Sequence, residues 1–237
     1  MNFDNLYVKS ESKYFDKGLM EYMTMIYKNM SIAFLISAFV AYLTSHSPVL
    51  MRLFFANPFM RLVVMFAPLI FTFYFYKSIW TATIDKARSM LFIFAGLMGV
   101  SLSTIFLAYT GASILQTFLT TAGTFGCMSL YGYKTKKDLT SLNSFLIMGL
   151  VGLLIASIVN IFVKSAQFDF VLSGVGVIIF TLFTAYDVQK IKETYNYVGV
   201  NSDMNEKVAV IGSLQLYMDF VNLFLYLLRF LGNSQRD

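Results

Sequence analysis

The chain has 237 residues, of which 57% are hydrophobic and 13% charged, with a formal charge of +5. A water-soluble domain carries about twice that share of charge, and one of roughly 150 to 300 residues still exposes about a quarter to a third of its chain surface, so this much apolar surface excludes a soluble fold and makes lipid the solvent. The 18 Lys and Arg residues lie between apolar runs and form no continuous patch, so they read as membrane topology signals and argue against a nucleic-acid partner.

The first 28 residues mix both charge signs and hold no apolar core, which argues against a cleaved signal peptide. Residues 1–23 are therefore expected to form an N-terminal tail, 24–232 a single membrane domain and 233–237 a short C-terminal tail. Crossing a hydrocarbon layer of about 30 Å takes roughly 20 helical residues at about 1.5 Å each. On that measure 29–51 is the first span. The run 62–76, helped by a helix start at Asn57-Pro58, is the second. Residues 89–133 carry no charge over 45 positions, enough for a third and a fourth span around a turn at Tyr109-Thr110-Gly111-Ala112. The remaining spans are 139–163, 170–190 and 208–228. The expected fold is thus an all-α integral membrane protein with seven transmembrane helices.

The fourth span crowds Thr117, Thr120, Thr121, Gly123, Thr124, Gly126 and Ser129 into less than four turns. Small residues at this spacing let helix backbones approach closely in lipid, with a polar pore lining as the sharper alternative. The single cysteine, Cys127, lies in the same run and reads as a buried, inert thiol. His46, before Pro48, reads as a solvated loop histidine. No metal-ligand cluster, phosphate loop or nucleophile-histidine pairing stands out, so no cofactor is expected and the chain does not read as an enzyme.

Counting Lys and Arg on alternate sides of seven spans puts 13 on the side of the N-terminus and 5 on the other. That split predicts a cytoplasmic N-terminus and a C-terminus on the opposite side.

Asp219 has eleven uncharged residues before it, back to Lys207, and nine after it, up to Arg229. A carboxylate so deep in a span is costly unless it faces the bundle interior or a wet cavity and finds a partner. Gly212, Gln215, Asp219, Asn222, Tyr226 and Arg229 follow at spacings of 3, 4, 3, 4 and 3, which is one helix face. A polar face points inward, so the last helix is expected to be central. Asp187, in Thr184-Ala185-Tyr186-Asp187-Val188-Gln189-Lys190, is the other intramembrane carboxylate. Two carboxylates brought close in a low dielectric do not both ionise cheaply, so such a pair holds one proton and senses pH. One geometric tension stands against pairing: Asp219 lies about 18 Å along its helix from Lys207, Asp187 only about 5 Å from Lys190.

The segment from Gly212 to Phe224, Gly-Ser-Leu-Gln-Leu-Tyr-Met-Asp-Phe-Val-Asn-Leu-Phe, with Leu227-Leu228-Arg229-Phe230-Leu231-Gly232 after it, resembles the last-helix signature of the Bax inhibitor family. Tyr186-Asp187-Val188-Gln189-Lys190-Ile191-Lys192 is similar to that family's sixth-helix motif, and Lys136-Lys137-Asp138-Leu139 to its basic loop; the likeness covers most of 20–232. The resemblance, to bacterial members in particular, implies an inner-membrane protein with seven helices around a central last one. It also implies a pH-responsive latch of two aspartates, here Asp187 and Asp219, on a calcium-permeable path, with Gln215, Asn222, Tyr226 and Arg229 as the supporting polar stripe. Some members hold the latch with an arginine near the inner end of the second helix. Here that stretch has none before Arg88, leaving Lys77 or Lys86 as point charges without guanidinium geometry.

The function implied is a pH-sensitive cation leak, with calcium the permeant ion and the bilayer the surrounding partner. A regulator that binds another membrane protein, such as a protease, is the alternative. An intramembrane aspartyl protease is more remote, because its second aspartate sits in Gly-x-Gly-Asp, whereas here the segment reads Leu216-Tyr217-Met218-Asp219. A rhodopsin-like receptor would place its N-terminus outside, against the charge count, and would need a retinal lysine that 208–228 lacks.

Overall fold

A computed structural model describes residues 3–198 and 202–233, with side chains over 17–196 and 204–233. Arg236 and most of the expected C-terminal tail fall outside the described residues, as do the side chains of Lys9 and Lys13. The regular segments are helices: α1 (Phe3–His46), α2 (Pro48–Phe55), α3 (Pro58–Ser78), α4 (Ile84–Leu102), α5 (Ile105–Ala108), α6 (Gly111–Lys134), α7 (Leu142–Val163), α8 (Ala166–Val198) and α9 (Ser202–Leu231).

Local chemistry sets most of the breaks. Pro48 lacks the N–H needed to continue α1, so the first span ends at His46, not at 51, and Ser47 caps the short α2 by accepting from Leu50 N. Asn57 caps α3 through Phe59 N at 2.8 Å, with Pro58 in the first turn, which gives the second span its full 21 residues. Thr83 caps α4 and Thr110 caps α6 in the same way, the latter at the expected turn. α1 passes through residue 23 without a break.

Among the described residues six stretches are long and apolar enough to cross a membrane: Lys17–His46, Pro58–Ser78, Ile84–Ala108, Leu142–Val163, Ala166–Asn196 and Met204–Leu231. The expected fourth span, α6, has 24 residues, but its Thr, Gly and Ser content keeps it out of that set. The sixth span corrects the sequence reading most. The span was expected to stop at Lys190, and the helix itself runs on to Val198, past two lysines that find partners locally. Lys190 lies over the Tyr186 ring at 5.7 Å, and Lys192 Nζ donates to Tyr133 O at 3.0 Å while standing 5.4 Å over that ring.

The last helix buries 61% of its apolar length, against 11% to 39% for the other five stretches, and packs on α1, α4, α6 and α8. α3 leans on α4, and α7 on α8. One polar node ties three of these helices. Ser37 Oγ donates to Ala95 O at 2.7 Å, so its lone pair is left to accept from the Tyr217 hydroxyl at 2.7 Å, and both side chains are buried. Tyr217→Phe is expected to cost about 1 kcal/mol, and Ser37→Ala about 1–3 kcal/mol because it strands the buried hydroxyl of Tyr217. Thermal unfolding in detergent checks both, and equal costs would mean that water reaches the node.

α6 buries Ser113, Thr117, Thr121, Phe125, Ser129 and Gly132, a row at four- and three-residue spacing that faces α8 and α9. The small residues on that row do serve helix packing. Those on the outward face do not: at Gly111, Gly123 and Gly126 an added Cβ meets nothing within 4 Å. Cys127 shares the outward face and is exposed, not buried as its apolar surroundings suggested.

Candidate functional site: a buried aspartate pair

Asp187 on α8 and Asp219 on α9 are 4% and 6% exposed, and their carboxyls come within hydrogen-bonding reach of each other. The two groups meet although Asp187 stands near the Lys134 end of α6, where Ala185 packs on Gly132 and Gln189 holds the α6–α7 loop, so Asp219 approaches that end of the bundle. Gln215, one turn before Asp219, also comes within reach of Asp187. Asp219 Oδ2 is buried with no hydrogen-bond donor among the described residues. Two carboxyl groups in contact, one with an unfilled acceptor, are able to share a single proton.

The rest of the stripe divides. Asn222 and Arg229 line a cavity of about 600 Å³ between α3, α4 and α9, together with Thr72, Ser101, Thr104 and Met218. This cavity follows α9 from Met218, next to Asp219 in the chain, to Arg229. Tyr226 instead turns to α8, where its ring stacks on Phe180 at 5.5 Å and fills the space left by Gly176. Arg229 caps that ring at 5.7 Å.

One feature at the other end of the pair escaped sequence reading. Tyr76 of α3, which looked like an interfacial shoulder, lies in electrostatic range of both carboxyls. The cation that acts on Asp187 is Lys190 of its own helix; Lys77 and Lys86 are exposed and form no ion pair among the described residues. Arg88, the first arginine after the second span, pairs with Glu206 at 2.7 Å and so ties α4 to the start of α9.

Gln189, two residues after Asp187, clamps the loop between α6 and α7. Its amide donates to Lys137 O and accepts from Leu139 N, both at 2.8 Å. In that loop Asp138 accepts from the Thr140 hydroxyl at 2.6 Å and from its backbone N–H at 2.8 Å, which holds the carboxyl below its ordinary range. The basic motif is thus tied to α8 within one turn of Asp187.

Long apolar helices with a carboxyl pair buried between the last two define a polytopic helical membrane protein with an ionisable interior. The chain belongs to the Bax inhibitor family, whose description is "Inhibitor of apoptosis-promoting Bax1" and which matches residues 19–236. It is 43% identical over 226 residues to a protein of Rickettsia prowazekii, covering 95% of each chain. It is 39% identical over 219 residues to the inner membrane protein YbhL of Escherichia coli K12, covering 92% of this chain and 94% of that one. A membrane protein of Streptococcus pyogenes serotype M3 is 33% identical over 236 residues, covering 99% of this chain and 100% of that one.

Proposed function

We propose that this protein is a pH-sensitive cation leak, with calcium as a permeant ion, gated by the proton shared between Asp187 and Asp219. The observation that carries the reading is the approach of two buried carboxyls with one acceptor, Asp219 Oδ2, left unfilled. While the proton is shared the pair holds α8 to α9. When both groups ionise they repel, and a cation can take the proton's place. The cavity lined by Asn222 and Arg229 is the approach from one side, and the seven spans are α1, α3, α4 with α5, α6, α7, α8 and a central α9. Purified protein in liposomes should pass calcium faster than protein-free liposomes, with a rate that depends on pH. A leak no faster than that of empty vesicles would overturn the reading.

In the bacterial inner membrane this arrangement puts the N-terminus in the cytoplasm, because the basic loops gather on its side, and an odd number of spans puts the C-terminus across the membrane. Reporter fusions at both ends should report opposite compartments. Both reporters on one side would remove α6 as a span.

A further inference from the structure

α1 and α6 do not close on each other. α1 packs on α4 and α9, and α6 on α8 and α9, so a crevice runs between α1 and α6, with α9 as its floor at Tyr217, Phe220, Val221 and Phe224. An aromatic waist divides this crevice: Phe220 on the floor lies 4.4 Å from Phe34 of α1, and 5.6 Å and 5.4 Å from Phe118 and Phe125 of α6. Beyond the waist is a chamber of about 370 Å³; before it, toward Lys134, is one of about 480 Å³. Both fall in the range of roughly 300–1,000 Å³ typical of ligand sites.

We infer that the chamber next to Lys134 is a binding site for one anionic phospholipid, which lays an acyl chain along the crevice and sets its headgroup at the basic end. Three observations commit the site to a lipid. The walls are apolar, built from Met20, Met23, Met30 and Leu130, and Gly126 leaves its wall open, since a Cβ there meets nothing within 4 Å. The length matches one leaflet: Lys134 stands nine residues after Phe125 on α6, about 13 Å of helix, and half of a hydrocarbon layer of about 30 Å is about 15 Å. The charge matches a headgroup. Exposed Lys134 ends α6, and Lys192 stands over Tyr133, which lines the chamber mouth. Tyr27 and Ser129, within hydrogen-bonding reach of each other, put hydroxyls on the chamber wall one to two turns below those lysines.

The test is photolabelling of the full chain, reconstituted in bilayers, with a phosphatidylglycerol carrying a photoreactive group at the acyl terminus. Labels should concentrate on Met30 and on the α6 segment around Gly126, over the equally apolar outer face of α7 at Leu154, Ile158 and Phe162. Gly126→Phe fills the chamber and should abolish that label, whereas Gly123→Phe, also in open space but off the chamber wall, should leave it. Should the Phe variant fail to fold, competition of wild-type labelling by unlabelled phosphatidylglycerol reads the same occupancy. A phosphatidylcholine probe should label about fivefold less, the pull of one basic side chain on an anionic headgroup, and Lys134→Gln should remove most of that difference. Uniform labelling of α6 and α7, or labelling unchanged by both Gly126→Phe and competitor, would overturn the site. Equal labelling by the two headgroups would overturn the headgroup assignment, and crosslinked chain dimers would give the crevice to a second copy.

Discussion

Asp219→Asn and Asp187→Asn should each flatten the pH dependence of cation flux in liposomes, and the double variant should be no worse than the more severe single. On the proposed gating the two carboxyls act as one titrating unit, so removing either would remove the shared proton, and a second substitution would have nothing further to remove. The sign follows from linkage: the closed pair binds a proton that the separated pair does not, so the closed form gains population as pH falls. Neutral replacements of Arg52, Arg61 and Lys164 should leave the profile in place, because charges at the helix ends can reach water. Flux across a pH series for all six proteins checks this. Wild-type profiles in both single variants would return Asp219 to a structural role between helices.

Gly132→Ala should lower stability by about 2 kcal/mol or more, while Gly126→Ala on the same helix should raise it by about 0.5–1 kcal/mol. A Cβ at Gly132 overlaps the carbonyl oxygen of Ala185, a backbone atom that cannot swing away, and so forces α6 off α8 two residues before Asp187. At Gly126 the added methyl meets open space, and only the helix preference for alanine over glycine acts. Gly99 behaves like Gly132, since its Cβ would lie 2.7 Å from Ser37 O. Thermal unfolding in detergent separates the two signs. Equal shifts would mean that α6 and α8 are not in contact at Ala185.

The spans were legible because lipid punishes charge, so charge-free intervals mark helices whatever the tertiary packing. The same rule misplaced the end of α8. A charge marks where lipid ends, not where a helix ends, so α8 continues past Lys190 and Lys192, which find an aromatic ring and a carbonyl. The pairing of Asp187 with Asp219 was legible from the polar stripe and the family likeness, but the stripe was read as one face looking into one path. Structure divides it, because Gly176 makes room for Tyr226 to turn toward α8, and a glycine on a neighbouring helix leaves no mark in the stripe itself. The outward position of Cys127 was recoverable. The row 113, 117, 121, 125, 129, 132 is the buried face of α6, and 127 lies off it. Tyr76 was not recoverable, since an aromatic residue at the end of a span more often marks the membrane interface than a carboxyl pair.

The proton itself is the most direct test. Infrared spectroscopy of the protein in lipid bilayers, from acid to alkaline pH, distinguishes a protonated carboxyl from a carboxylate. The account predicts one buried protonated carboxyl per chain, lost over the same pH interval in which cation flux changes, and missing from the double Asp187→Asn, Asp219→Asn variant at every pH. A protonated band that persists in the double variant, or flux that changes with pH while no buried carboxyl titrates, would contradict it.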